Sequence, residues 1–279
     1  MQKLQKLSEG KIQENASYDH SDGLICNGKM VYPDKASMAQ MATSIKFNIY
    51  APDGSIKKSF RFGKGIADIA NTWLQKIEPG CGTLYGTDSE TTFKSDKNPN
   101  VVICRTNANV IKKYIEYTTK DKLLNINISC EIEPLLKFAQ ALYDLEKTNT
   151  SAHMLLKHFT SIDVFYKFIE ANGDMFDTDI VRIAKLCKEI GANTIIKCFS
   201  KYGECTHPDI LITTAHKAKG LEWDTVQLGD DFNVEEIKSK STEVNMPHTP
   251  QYNKEELRLF YVAITRTKKC LLGYDQYKS

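Results

Sequence analysis

Long apolar runs are missing from this chain: no stretch of its 279 residues approaches the roughly 18 apolar residues that a membrane helix needs. A charge of one sign is missing too. The 37 Lys and Arg nearly balance 35 Asp and Glu, leaving a formal charge of +2. Overall charge therefore does not argue for nucleic acid, and any such partner must be met by local patches. Internal repeats and low-complexity tracts are absent, which excludes solenoid and collagen-like designs. No CxxC pair occurs among the eight cysteines, at 26, 81, 104, 130, 187, 198, 205 and 270. Cys198, Cys205 and His207 come closest to a metal cluster, and their spacing fits no zinc pattern. The cysteines read as reduced, mostly buried thiols of a cytosolic or nuclear protein. The opening MQKLQKLSEGKI is charged and has no apolar centre, so it is not a secretory signal. The expected location is the nucleus in a eukaryote and the cytoplasm otherwise, with no secretion and no membrane partner.

What is present is ordinary globular material. Hydrophobic residues make up 41% and charged residues 26%, enough for a sizeable core. The length suggests about two domains or one large one.

Residues 1–55 show no strong periodicity and read as an unassigned arm. Asp19 to Asp34 is rich in turn formers, Ile45 to Tyr50 reads as a short strand, and Ala51-Pro-Asp-Gly54 as a turn. Ile66 to Leu74 has helical spacing, ended by Pro79-Gly80. Val101 to Cys104 is a short, fully apolar run, as in a buried parallel strand. A polar turn and a helix over 109–117 follow, which makes a βα unit. The middle differs. Residues 131–147, 152–172 and 179–190 all show helical spacing, with Leu135, Leu136, Phe138, Ala139, Leu142 and Leu145 on one stripe. No strand is evident between them. A short apolar run returns at Ile210 to Ile212, Thr225 to Leu228 and Cys270 to Tyr274 read as further strands, and 255–265 as a helix. The expected fold is α/β: a parallel-sheet domain over 56–125 and 205–279, interrupted by an all-helical insertion over 126–204.

Three segments carry chemistry. TTAHKAKGLEWDTV, residues 213–226, joins two strands through a His, two Lys and a Gly. Loops at the carboxyl ends of parallel strands bind ligands in α/β sheets. Lys217 and Lys219 suit phosphate, Glu222 suits sugar hydroxyls, and Gly220 allows close backbone approach; the plain alternative is a solvated basic turn. EELRLFYVAITRTKK, residues 255–269, ends a helix in Arg266 and two lysines. The helix dipole alone explains a basic end; the alternative is an arginine that stabilises a transferring phosphoryl group. KSFRFGKGI, residues 58–66, sets Arg61 before a helix start, either as an ion-pair partner or as a phosphate contact.

Together these segments resemble the C-terminal half of UvrD/Rep-type superfamily 1 DNA helicases. TTAHKAKGLEWDTV resembles motif V, EELRLFYVAITRTKK motif VI, KSFRFGKGI motif IV, and VVICRTNANVI the strand and turn after it. SFRFG, CRTNANV and the Asp230-Asp231-Phe232 that follows motif V are similar in particular to the F-box DNA helicase branch. The resemblance covers about 56–120 and 205–279, with four motifs in order. It implies a second RecA-like domain and ATP-driven 3′→5′ translocation on single-stranded DNA, in DNA repair or recombination. Carried over residue by residue, it implies that Arg61 and Arg266 meet the γ-phosphate, Arg266 as the arginine finger. Gly220 and Glu222 would meet the nucleotide, Glu222 at the ribose. Arg105, Asn107, Thr214 and His216 would contact the DNA strand. In isolation His216 reads as a core or capping histidine.

This sequence departs from the pattern at Leu257, where a basic residue is usual, and at Thr267, where Ala is usual. It has no GxxxxGK[ST] loop to cradle phosphates, no DExx-type acidic strand end for Mg²⁺, and no F-box. The expectation is that ATP and Mg²⁺ are held mainly by a first RecA-like domain that this chain lacks, and that the chain alone is inactive. It would then be a fragment, one piece of a split gene, or a gene model truncated at Met1. The rival expectation is a non-catalytic DNA- or partner-binding module derived from a helicase.

Overall fold

The computed structural model describes residues 56–172, 179–237 and 251–278, with side chains from Lys58 onward, and short strand backbones before them. Those strands are Leu4–Ser8, Lys11–Ala16, Tyr18–Asp19, Gly23–Cys26, Lys29–Val31 and Asn48–Tyr50. The turn expected at Ala51 to Gly54, and much of the turn-rich stretch 19–34, lie outside the described residues. The chain divides into two compact units. One comprises 1–97, 218–228 and 233–279, the other 98–217 and 229–232.

The second unit is built on three parallel strands, β3 (Val101–Cys104), β4 (Ile126–Ser129) and β5 (Ile210–Thr214). Strand β5 lies in the middle, with Ile210 opposite Ile126 and Leu211 opposite Val101. All four residues of β3 are buried, which is why its run carries no polar alternation. Helix α2 (Asn107–Lys120) follows β3, and Thr106 caps it by accepting from the Asn109 N–H. Helices α3 (Glu133–Thr148), α4 (Ile162–Asn172), α5 (Asp179–Ile190) and α6 (Ala192–Phe199) lie between β4 and β5 in sequence.

The α3 stripe of Leu135, Phe138, Ala139, Leu142 and Leu145 is buried. It packs in one cluster with Val102, Ile128, Ile210 and Ile212. The four helices thus share the core of the strands instead of building their own. Two local expectations change. Strand β4 falls inside the stretch read as all-helical, because a four-residue strand with only Ile126 and Ile128 turned inward leaves too short a signal. Helix α4 starts at Ile162, not near 152, because Ser161 interrupts the pattern and its hydroxyl accepts from the Val164 N–H at 3.4 Å.

The first unit contains β1 (Ile56–Gly63), α1 (Lys64–Ile77), β2 (Tyr85–Thr87), β6 (Trp223–Leu228), α7 (Lys254–Ile264) and β7 (Thr267–Leu272). Strands β6 and β7 pair in parallel, as do β1 and β2. Asn253 caps α7 by accepting from the N–H groups of Glu255 and Glu256. Helices α1 and α7 bury Ile66, Ala70, Trp73, Leu257, Phe260 and Ile264. The Trp73 and Phe260 rings meet edge to face at 5.0 Å, and the Trp73 indole donates to the Tyr274 hydroxyl at 3.1 Å. Such rings supply much of a small core's apolar burial. Gly63 is required by contact: a Cβ there would lie 1.9 Å from the Ser89 carbonyl oxygen. The α/β class with parallel-paired strands, expected from the sequence, is the class observed.

Candidate nucleotide and nucleic-acid sites

In the first unit, Arg61, Glu222 and Arg266 come from β1, from the residue before β6 and from the end of α7, and they converge. Arg61 Nε donates to Glu222 Oε2 at 2.6 Å, and its Nη1 to the Thr265 carbonyl at 3.4 Å. Arg266 Nη2 donates to the hydroxyl of the same Thr265 at 3.1 Å. Both guanidinium groups therefore close on one residue.

Their environments differ. The Arg61–Glu222 pair is partly open, with Glu222 45% exposed, so solvent screens it to a fraction of a kcal/mol, about 0–1. An incoming anion can compete for Arg61 at little cost. Arg266 is 8% exposed and, among the described residues, has no carboxylate partner within ion-pair distance. Neutral oxygens hold it: Val262 O at 3.0 Å and Leu221 O at 3.4 Å. Val262 lies in the last turn of α7, whose carbonyls lack intrahelical partners. Burial, and then the Arg61 charge, pull Arg266 down to about 10 against the opposing pull of Tyr261 and Glu222. The result is a buried positive charge held by neutral oxygens, with no carboxylate within ion-pair distance among the described residues. Gly220 sits at φ +95, a conformation that favours glycine. It turns the chain two residues before Glu222.

In the second unit a cleft of about 450 Å³ opens at the carboxyl ends of the parallel strands. Arg105, Thr106 and Asn107 reach it from the β3 end, and Thr214, His216 and Lys217 from the β5 end. The four residues expected to touch DNA, Arg105, Asn107, Thr214 and His216, thus line one cleft. Asp231 clamps the β3–α2 turn. Its Oδ1 accepts from the Arg105 N–H at 2.8 Å. Its Oδ2 accepts from the N–H and the hydroxyl of Thr106, both at 2.8 Å. Gly229 makes room, since a Cβ there would lie 2.9 Å from Asp231 Oδ1. Asp230 accepts from Asn109 at 3.0 Å and pairs with Lys113 at 3.3 Å. Partial burial opposes its ionisation, yet the Asn109 hydrogen bond and the Lys113 charge hold its carboxyl below the usual range.

Three further residues line the cleft and were not singled out by sequence: Glu131, Asp179 and Arg182. Asp179 and Arg182 are on α5, in the helical stretch where no motif directs attention. The one available signal was an acid in the first turn of a helix, and the dipole explains that by itself. Among the described residues no cluster of His, Cys, Asp and Glu could hold a metal ion, and no helix is long and apolar enough to cross a membrane.

Parallel strands whose carboxyl-end loops line a polar cleft, with two arginines gathered at a helix end, define an α/β domain of the RecA-like helicase class. A family model described as the UvrD-like helicase C-terminal domain matches residues 4–273. The chain belongs to that family. It is similar to the F-box DNA helicase protein 1 of Schizosaccharomyces pombe, with 27% identity over 79% of this chain and 27% of that protein. It is also similar to the F-box DNA helicase 1 of Gallus gallus, with 29% identity over 78% of this chain and 23% of that protein. The chain thus spans about a quarter of the length of the curated relatives it matches.

Proposed function

We propose that this chain is the second RecA-like half of an ATP-dependent DNA helicase that moves 3′→5′ on single-stranded DNA, in repair or recombination, in the nucleus if its source is eukaryotic. The observation that carries the reading is the convergence of Arg61 and Arg266 on Thr265, with Glu222 beside them. Charge stabilisation needs donors already gathered around one developing charge. The residues fit a nucleotide triphosphate. Arg266 is a buried cation without a carboxylate, Arg61 is a cation held by a screened pair, and Glu222 is an acceptor for hydroxyls. ATP with Mg²⁺ supplies the transferable phosphoryl group, and a partner first RecA-like domain holds most of both. In related phosphoryl-transfer systems an arginine of this kind contributes about 10³–10⁵ in rate. In the second unit, Arg105 and Lys217 supply charge to the DNA backbone, while Thr214 and His216 add hydrogen-bonding groups.

A second reading is a non-catalytic DNA-binding module, which the strand-end cleft lined by Arg105, Thr214, His216 and Lys217 would serve without any nucleotide. ATP turnover by the purified chain, with saturating Mg-ATP and single-stranded DNA, separates the claims. Background turnover is expected, with activity appearing when a UvrD-type first domain is supplied in trans and vanishing with Arg266→Ala. Turnover by the chain alone that Arg266→Ala abolishes would contradict the two-halves reading. Failure of any first domain to elicit turnover would leave the non-catalytic module as the better account.

A further inference from the structure

Asp179, the first residue of α5, takes two donors on separate oxygens. Asn107 Nδ2 donates to its Oδ2 at 2.8 Å, and Arg182 Nη1 to its Oδ1 at 3.2 Å. All three residues line the cleft at the strand ends. An ionised carboxylate only accepts, so the contact settles the orientation of the Asn107 amide. Its nitrogen faces Asp179 and its Oδ1 is turned to the other side. One amide hydrogen of Asn107 is committed to Asp179, while the Oδ1 can only accept. Glu131 adds a second carboxylate to the lining. Asn107 therefore turns an acceptor, its Oδ1, away from Asp179; a phosphate oxygen cannot donate to it and a nucleobase N–H can.

We propose that Asp179 is a positioning residue that makes Asn107 a reader of nucleobase N–H groups and not a phosphate contact. The inference rests on the single-stranded DNA reading above. It assigns the helical stretch 133–199 a part in DNA recognition: α5 brings the carboxylate that orients the amide at the start of α2. Every natural base carries an amino or imino N–H, so the contact would prefer the presence of a base without selecting sequence sharply. The neighbouring Arg105 and Lys217 would supply the backbone contacts and the salt dependence.

The test compares binding of the full chain to a deoxycytidine homopolymer and to an abasic strand of equal length, by fluorescence anisotropy over a salt series. The wild type should prefer the base-bearing strand. Asn107→Ala and Asp179→Ala should each reduce that preference about fivefold, the scale of one hydrogen bond, and the double variant should lose no more than either alone. The slope of log affinity against log salt should not change in these variants, because no phosphate contact is removed. Asp179→Asn, which keeps an acceptor but loses the charge, should fall between. Should Asp179→Ala fail to fold, Asn107→Ala carries the comparison. A preference untouched by Asn107→Ala would overturn the proposal, as would a shallower salt slope in that variant. Absence of binding to either strand at low salt would overturn the DNA reading itself, and the proposal with it.

Discussion

The two units hold their functional side chains in opposite ways. In the first, Arg266 is fixed by neutral oxygens: two main-chain carbonyls and a hydroxyl. In the second, the turn that carries Arg105 and Asn107 is fixed by full charges, the carboxylates of Asp231 and Asp179. A carboxylate beside Arg266 would cancel the field that the proposed role requires. Around Arg105 the Asp231 carboxylate grips the backbone N–H groups of 105 and 106 and makes the turn rigid. The lesson is that what an anchor is made of follows what it holds: neutral oxygens hold a buried guanidinium, whereas a carboxylate holds a turn of backbone N–H groups.

That contrast can be broken most severely at Asp231. Asp231→Ala leaves the Arg105 and Thr106 N–H groups and the Thr106 hydroxyl without their acceptor. Bonds to a charged acceptor are the strong ones, so unfolding in urea should show a loss of about 4 kcal/mol, and Asp231→Asn about half of that. In the first unit, Gly63→Ala forces a Cβ to within 1.9 Å of the Ser89 carbonyl oxygen. The backbone must shift where β1 meets the following loop, at a cost of about 3 kcal/mol in the same assay.

The neutral anchoring of Arg266 has a pH signature. Burial, and then the Arg61 charge, lower Arg266 from its ordinary value to about 10. A base whose folded value lies below its unfolded value destabilises the fold at every pH beneath the folded value. That penalty fades as pH climbs through about 10, because the unfolded chain then binds more protons. Wild type should therefore gain stability relative to Arg266→Met as pH rises through this range. A constant difference would mean that Arg266 is not desolvated as described. The smallest effect concerns Thr267, whose buried hydroxyl has no hydrogen-bond partner among the described residues. Thr267→Val keeps the shape and removes the unsatisfied group, so melting should show a gain of about 1 kcal/mol.

Much of this was legible in the residues. The apolar runs at 101 and 210 mark strands because parallel strands bury both faces, and the α3 stripe marks core because its period is helical. Arg61, Glu222 and Arg266 are far apart in sequence, and only the motif order suggested that they meet. Strand β4 was too short to be heard above its polar neighbours. The part played by the acids, Asp231 of the 230–232 run included, was hidden for a different reason. Asp179 and Asp231 act on groups distant in sequence, Asn107 and the backbone of 105–106. Nothing in the local pattern of an acid reveals which donor it will meet.

The most direct test of the account is the salt dependence of single-stranded DNA binding by the wild type, Arg105→Ala and Arg61→Ala. If the strand-end cleft of the second unit meets the DNA backbone, the wild type binds weakly. Log affinity then falls against log salt with a slope of about −0.7 per phosphate contact. Arg105→Ala should make that slope shallower by about 0.7, whereas Arg61→Ala, in the first unit, should leave it unchanged. No binding at low salt, or a slope altered by Arg61→Ala and not by Arg105→Ala, would contradict the division of labour between the two units.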